Sequence, residues 1–253
     1  MSKKHSQPVA LITGAARRIG AVIAEYLHQQ GHNVVLHYRH SMREVEGLAS
    51  KLNDSRPHSA ITLQADLLQT AQLSQFIADA GAEWDRLDVL VNNASSYFPT
   101  TMGVTDEQQW DDLMGSNLKA PFFLAQAAVP WLQKTNGCII NITDVNAHQP
   151  VKGYPVYSAA KAGLWMLTRA LAQDLAPAIR VNAVAPGTII WPEGVNIRDA
   201  ATKEAVIAKI PLQCIGEPLN IAKAVGFLVA EGNYITGQEI RVDGGKSIRG
   251  YLD

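Results

Sequence analysis

Seven short apolar runs recur along the chain, separated by longer segments, and this alternation limits what it can fold into. The runs are Val9–Thr13, Asn33–Tyr38, Ile61–Ala65, Asp88–Asn92, Cys138–Thr143, Arg180–Val184 and Glu239–Val242. Helical segments are predicted between them, near Ile19–Gln30, Met42–Asn53, Thr70–Trp84, Asp106–Gln133, Tyr157–Leu175 and Leu219–Ala230. Strands alternating with helices imply βαβ crossovers and a parallel sheet covered on both faces. No proline- or serine-rich linker and no internal repeat divides the chain, so one α/β domain is expected over residues 1–253. Gly187–Lys203, with Trp191-Pro192-Glu193-Gly194 inside it, is too long for a simple turn. With its flanks it reads as a lid over a site, spanning 186–205.

Composition narrows the class further. The chain has 253 residues, 47% hydrophobic and 18% charged, enough for a full core at the upper end of one-domain lengths. A net charge of −1 gives no reason to expect nucleic acid or an anionic membrane as partner. The early basic pair Lys3-Lys4 reads as a solvated tail, since no apolar stretch of a signal peptide follows it. No run reaches the roughly 18 apolar residues of a spanning helix. Cys138 and Cys214 suggest neither a disulfide framework nor a metal cluster, and are expected as reduced thiols in a cytoplasmic protein.

The first strand runs directly into Thr13-Gly14-Ala15-Ala16-Arg17-Arg18-Ile19-Gly20 and then a helix. Glycines there permit a tight turn and close backbone approach, and a helix N-terminus offers free N–H groups to a pyrophosphate. Arg18 stands where a third glycine is usual, and its guanidinium can reach both pyrophosphate and substrate. The second strand ends in His37-Tyr38-Arg39-His40-Ser41, without the carboxylate that would hold a ribose 2′-hydroxyl. Arg39, His40 and Ser41 instead suit a 2′-phosphate, so NADPH is expected over NADH. Asp66-Leu67 follows the third strand, where a carboxylate can accept from the adenine amino group. Asn92-Asn93-Ala94-Ser95 closes the fourth with small residues that let backbone approach the cofactor.

Tyr157 and Lys161 are four residues apart and so share one helix face. A free phenol titrates near pH 10, roughly. An ammonium beneath it is expected to lower that value and make Tyr157 a better proton donor. Asp144 lies 157 − 144 = 13 positions upstream of the tyrosine. A carboxylate there, in place of a hydroxyl donor, suggests that the reduced group is not an ordinary ketone.

In this order, together with Asn117, Pro186-Gly187 and Tyr234-Ile235-Thr236-Gly237-Gln238 leading to Val242-Asp243-Gly244-Gly245, these motifs resemble the short-chain dehydrogenase/reductase family. The resemblance covers nearly the whole chain. It implies a single-domain Rossmann-type fold with seven parallel strands, catalysis by Asn117, Tyr157 and Lys161, and a homotetramer. It implies that Lys161 also holds the nicotinamide ribose and that Asn117 anchors a water leading protons to the lysine. Cofactor contacts then come from Gly14, Arg18, Ile19, Gly20, the His37–Ser41 strand end, Asp66, Leu67, Asn93, Ala94, Ser95, Thr143, Tyr157, Lys161, Pro186 and Gly187. Most of the family has serine thirteen residues before the tyrosine; here Thr143-Asp144 occupies that place. A register in which Thr143 plays the serine role is the alternative.

One branch, the pteridine reductases, is similar in the Arg17-Arg18-Ile19-Gly20 turn, the His37–Ser41 strand end, the Asp144-to-Tyr157 spacing and Asn92–Pro99. Carried over, Tyr97 stacks a pterin against the nicotinamide, Ser95 contacts cofactor or pterin, and Arg18 bridges pterin and phosphates. Asp144 and Tyr157 then supply a proton to a ring nitrogen as a C=N bond is reduced. Tyr97-Phe98 reverses the branch's Phe-Tyr order and Arg39-His40 its His-Arg, which leaves the stacking ring and the phosphate ligand open. The substrate class implied is a small pterin or folate. Competing readings are a carbonyl reductase such as a 3-ketoacyl thioester reductase, and a non-catalytic NADPH-binding sensor or scaffold.

Overall fold

A computed structural model describes residues 7–191 and 199–248. The Lys3-Lys4 tail and the Pro192-Glu193-Gly194 part of the expected lid lie outside those residues. Seven strands form one parallel sheet: β1 (Val9–Ile12), β2 (Asn33–Tyr38), β3 (Ala60–Gln64), β4 (Val89–Asn92), β5 (Cys138–Ile142), β6 (Arg180–Pro186) and β7 (Glu239–Val242). Their spatial order is β3-β2-β1-β4-β5-β6-β7. The chain order reverses between β1 and β4, which opens a crevice beyond the carboxyl ends of these strands.

The period of two along each strand sorts side chains between two cores. Ala10, Ile12, Val34, Leu36, Val89 and Val91 point to one face. Val9, Leu11, Val35, Leu90 and Ile139 point to the other. The first face is covered by α1 (Arg18–Gln29), α2 (Met42–Ser55) and α8 (Pro218–Ala230). The second is covered by α3 (Leu73–Ala82), α5 (Ala120–Thr135) and α6 (Pro155–Asp174). Central strands are therefore apolar on both sides and fully buried, and each large aliphatic side chain taken from water contributes about 1.5–3 kcal/mol. The edge strands differ. β3 is only partly buried, and β7 carries Glu239 and Arg241, charges that suit an edge.

Two expectations change. The helix predicted over Asp106–Gln133 is α4 (Glu107–Met114), one π-helical turn at Gly115–Lys119, and then α5. The cause is local. Ser116 Oγ donates to the Asp112 carbonyl and Asn117 Nδ2 to the Leu113 carbonyl, taking the acceptors a regular helix would use. The second change is α7 (Ala200–Ile207), a helix that begins inside the expected lid and runs past its end at 205; it buries none of its residues and so carries no apolar stripe to announce it.

Candidate active site

The turn after β1 is stitched to the end of β4 across the crevice. Thr13 Oγ1 accepts from the backbone N–H of Asn93 (2.9 Å) and Ala94 (3.0 Å). Asn93 Nδ2 donates back to the carbonyls of Thr13 (2.8 Å) and Gly14 (3.1 Å). A side chain at Gly20 would put its Cβ 2.5 Å from Asn93 Nδ2, and closer still to the Gly14 carbonyl. Gly14 itself has φ +64°. Both glycines are thus required by the turn. Arg18 adopts φ 57°, a left-handed conformation that costs a non-glycine residue about 1–2 kcal/mol. Helix α1 starts with Arg17 at its cap, no side-chain cap bond and no acidic residue in its first turn. Its leading N–H groups therefore suit an external anion, which is the fit a dinucleotide pyrophosphate requires.

His37, expected as a cofactor contact, lines the crevice cavity and also has a structural task. It is buried, its Nδ1 accepts from Gly14 N–H at 3.0 Å, and its Nε2 faces the Ala65 carbonyl at 3.2 Å. The imidazole holds the glycine turn to the ends of β2 and β3. Burial pushes its pKa down to about 4, against opposing contributions from the Ala65 carbonyl and Asp66. A free imidazole titrates at 6.5, so between those values the unfolded chain binds more protons than the folded one. His37 thus contributes stability above pH 6.5 that is lost as pH falls towards 4, worth about 3 kcal/mol in all. Urea unfolding across this range should show that slope, and His37→Gln should flatten it. An unchanged slope in the variant would remove His37 as its source.

A cavity of about 920 Å³ runs along the crevice. At one end it is lined by His37, Tyr38, Arg39, His40, Ser41, Asp66 and Leu67, then by Gly14, Arg18, Ile19, Gly20, Asn93, Ala94 and Ser95. Asp66 was expected to face an adenine. It lines the cavity; its Oδ2 accepts from Arg39 Nη2 at 3.0 Å and its Oδ1 from Leu68 N–H. The other end is lined by Ser96, Tyr97, Ser116, Asp144, Asn146, Tyr157, Gly187–Trp191, Val206, Lys209 and Lys246. Tyr97 lines the cavity while Phe98 packs behind it. Its ring stacks on Tyr154 (4.7 Å, 10°) and meets Tyr157 edge-on (4.8 Å, 77°).

Tyr157 and Asp144 form the centre of this end. Tyr157 Oη donates to Asp144 Oδ2 at 2.7 Å, and Asp144 Oδ1 accepts from Asn146 N–H at 2.8 Å. Thr143 points away, donating to Glu239 Oε1 at 2.7 Å with the Val184 carbonyl at 3.2 Å, so Asp144 is the residue in register with the tyrosine. Burial raises the Asp144 pKa, opposed by the Asn146 N–H, the Tyr157 hydroxyl and the ammonium groups of Lys161 and Lys246. Burial and then the Asp144 charge hold the Tyr157 phenol well above its ordinary value. This corrects the expectation that an ammonium lowers it. Lys161 Nζ donates to the Ile142 carbonyl at 2.9 Å and lies 5.7 Å from the tyrosine ring centre, while the carboxylate touches the hydroxyl itself. Burial brings the Lys161 pKa down to about 8.

A family model described as enoyl-(acyl carrier protein) reductase matches residues 14–247. Pteridine reductase 1 of Leishmania tarentolae is 37% identical over 98% of this chain and 99% of its own length. The 3-oxoacyl-acyl-carrier-protein reductase FabG of Staphylococcus epidermidis is 36% identical over 93% of this chain and 97% of its own. A short-chain type dehydrogenase/reductase of Picea abies is 34% identical, covering 94% and 92%. The chain belongs to the short-chain dehydrogenase/reductase family.

As a short-chain dehydrogenase/reductase it is an oxidoreductase using a nicotinamide cofactor, and its expected site residues divide into two groups. Most line the cavity. Asn117, Thr143, Lys161 and Pro186 are not among the described residues that do. Asn117 is fully buried; its Nδ2 donates to the carbonyls of Ser96 and Leu113, and its Oδ1 accepts from Ser95 Oγ at 2.6 Å. It secures the loop after β4 and reaches the cavity through Ser95. Pro186 ends β6, and Gly187 packs so tightly on Asp243 that a Cβ would lie 2.6 Å from its Cα. No helix among the described residues is long and apolar enough to cross a membrane.

Sequence reasoning missed Lys246. The turn Asp243-Gly244-Gly245, with both glycines at positive φ and Asp243 accepting from the N–H groups of Gly245 and Ser247, presents it to the cavity. Its Nζ donates to Thr188 Oγ1 at 3.2 Å. The available signal was its place just past a glycine pair at the carboxyl end of a parallel strand, where such sheets bind ligands.

Proposed function

We propose that the protein is an NADPH-dependent pteridine reductase acting on a C=N bond of a dihydropterin or dihydrofolate-like substrate. The observation that carries this reading is the hydrogen bond from Tyr157 to Asp144 on the cavity wall. Carbonyl reduction needs donors aimed at a developing alkoxide, and an ionised carboxylate only accepts and would repel it. A ring nitrogen gaining a proton is helped by a carboxyl group that can share one. NADPH, when bound, supplies the hydride. Tyr157 and Asp144, both with raised pKa values, keep a proton at the adjacent nitrogen. Tyr97 offers its ring to a flat heterocycle, and Arg18 reaches from the phosphate turn toward it. Lys161 fixes the floor beneath Tyr157 through the Ile142 carbonyl.

The 37% identity to a pteridine reductase supports this reading, and Asp144 weighs against the 3-oxoacyl thioester reading that the Staphylococcus relatives favour. NADPH oxidation assayed with dihydrobiopterin, dihydrofolate and an acetoacetyl thioester separates the two. Activity on the thioester alone sinks the proposal, and inactivity on all three points to a non-catalytic NADPH-binding protein.

NADPH selectivity rests on Arg39, His40 and Ser41 at the far end of the cavity, where Arg39 also neutralises Asp66. Ser41 heads α2 without using its hydroxyl as a cap, which leaves that group for a ligand. Turnover per KM should favour NADPH over NADH by at least about tenfold, and Arg39→Ala should narrow that ratio. Equal use of both cofactors by the native protein would count against the phosphate site.

A further inference from the structure

Glu239 carries a carboxylate on the edge strand β7, yet its side chain is only 4% exposed. A buried carboxylate needs strong partners. Glu239 has them: Thr143 Oγ1 donates to its Oε1 at 2.7 Å, and His148 Nε2 lies 2.6 Å from its Oε2. Arg241 Nε stands at 3.6 Å. Thr143 and His148 bracket the segment 144–147, which carries Asp144 and Asn146 into the cavity. Glu239 belongs to β7 and Thr143 follows β5, with β6 between them. Two strand spacings amount to about 9.5 Å, so a long acidic side chain bridges what a shorter one would not.

Within the segment Val145 is buried and the turn packs against α6, and besides the bond from Tyr157 to Asp144 the remaining hydrogen bonds are local. Asp144 is extended (φ −165°, ψ 148°) and caps a single 3₁₀ turn, Val145–Ala147. Ala147 N–H donates to the Asp144 carbonyl and His148 N–H to that of Val145. Beyond it, Gln149 Nε2 donates to the Ser247 carbonyl. A short turn of this kind sets its own shape, and its packing on α6 is joined to the sheet through its two ends. The one carboxylate meets both ends, Thr143 being also tied by its N–H to the Val184 carbonyl.

We propose that Glu239 is a positioning residue, which through Thr143 and His148 holds the Asp144 carboxyl group at hydrogen-bonding distance from Tyr157. The proposal rests on the pteridine reductase reading, in which that pair delivers the proton. Glu239 touches neither cavity nor substrate, so its loss acts on the chemical step and leaves binding intact.

The test compares Glu239→Gln, His148→Leu and Asp144→Asn with the native protein, using dihydrobiopterin and NADPH. Glu239→Gln should lower kcat about tenfold or more, because small misplacements of reacting groups are costly. KM for dihydrobiopterin and the NADPH Kd, read by fluorescence titration, should stay within about twofold. His148→Leu, at a partly exposed position, should show a smaller loss of the same kind and decides the matter if Glu239→Gln does not fold. Native kcat in folded variants overturns the proposal. Loss of NADPH affinity in parallel with kcat also overturns it, because the carboxylate is then merely structural. An inactive Asp144→Asn beside a normal Glu239→Gln rejects only the role of Glu239, whereas a fully active Asp144→Asn rejects the reading on which it rests.

Discussion

Tyr157→Phe should lower single-turnover reduction of a dihydropterin by about 10³-fold, the loss expected when a positioned proton donor is removed. The ring remains, so its edge contact with Tyr97 and its packing with Leu113 and Val156 survive. NADPH affinity should therefore be close to native. The hydroxyl's second effect falls on Asp144, which loses a donor while remaining half-buried on the cavity wall. Its pKa should then rise further, and stability at neutral pH should fall by about 1–3 kcal/mol. Rapid mixing of the NADPH-loaded enzyme with dihydrobiopterin, followed by NADPH fluorescence, measures the first effect. A variant within tenfold of native, roughly, would mean that another group donates the proton.

Asp144→Ser should reduce dihydropterin turnover by about 10² or more with NADPH binding nearly unchanged. Serine removes the acceptor of the Tyr157 hydroxyl and offers a donor in its place. The same change should raise activity on an acetoacetyl thioester, since a hydroxyl can bond a developing alkoxide that a carboxylate repels. The ratio of the two activities is thus the sharper readout. The pH profile should change as well. In the native enzyme the raised Asp144 pKa keeps a shared proton on the pair at the acid side, so the rate should fall as pH rises through that titration. Asp144→Ser should lose that limb. Retained pterin turnover in the serine variant would remove Asp144 from the mechanism.

Much of this site could be read before folding was considered. The glycine turn, the basic end of β2 and the Tyr157–Lys161 spacing are short-range signals, and each lies where expected. The roles of His37 and Asn117 were less legible. Both belong to motifs that touch ligands by resemblance, yet each also bonds other parts of the protein, and only His37 of the two lines the cavity. Gly14 N–H claims His37 Nδ1, and Ser95 claims Asn117 Oδ1. The π turn around Asn117 was hidden because helix periodicity continues through it on both sides.

By itself, the sequence determined the layered parallel sheet, the phosphate turn and the helix face shared by Tyr157 and Lys161. These follow from periods of two and 3.6 residues and from glycine stereochemistry, which act over a few neighbours. Only the tertiary structure decided which charge reaches the Tyr157 hydroxyl. Lys161 is nearer in sequence, but Asp144 arrives from the end of β5 and bonds it at 2.7 Å. It also decided that Glu239, 96 residues from Thr143, reaches across β6 to the segment bearing that aspartate. Such pairings depend on strand order and helix packing, and the electrostatics follow distance through space, so no local window of residues contains them.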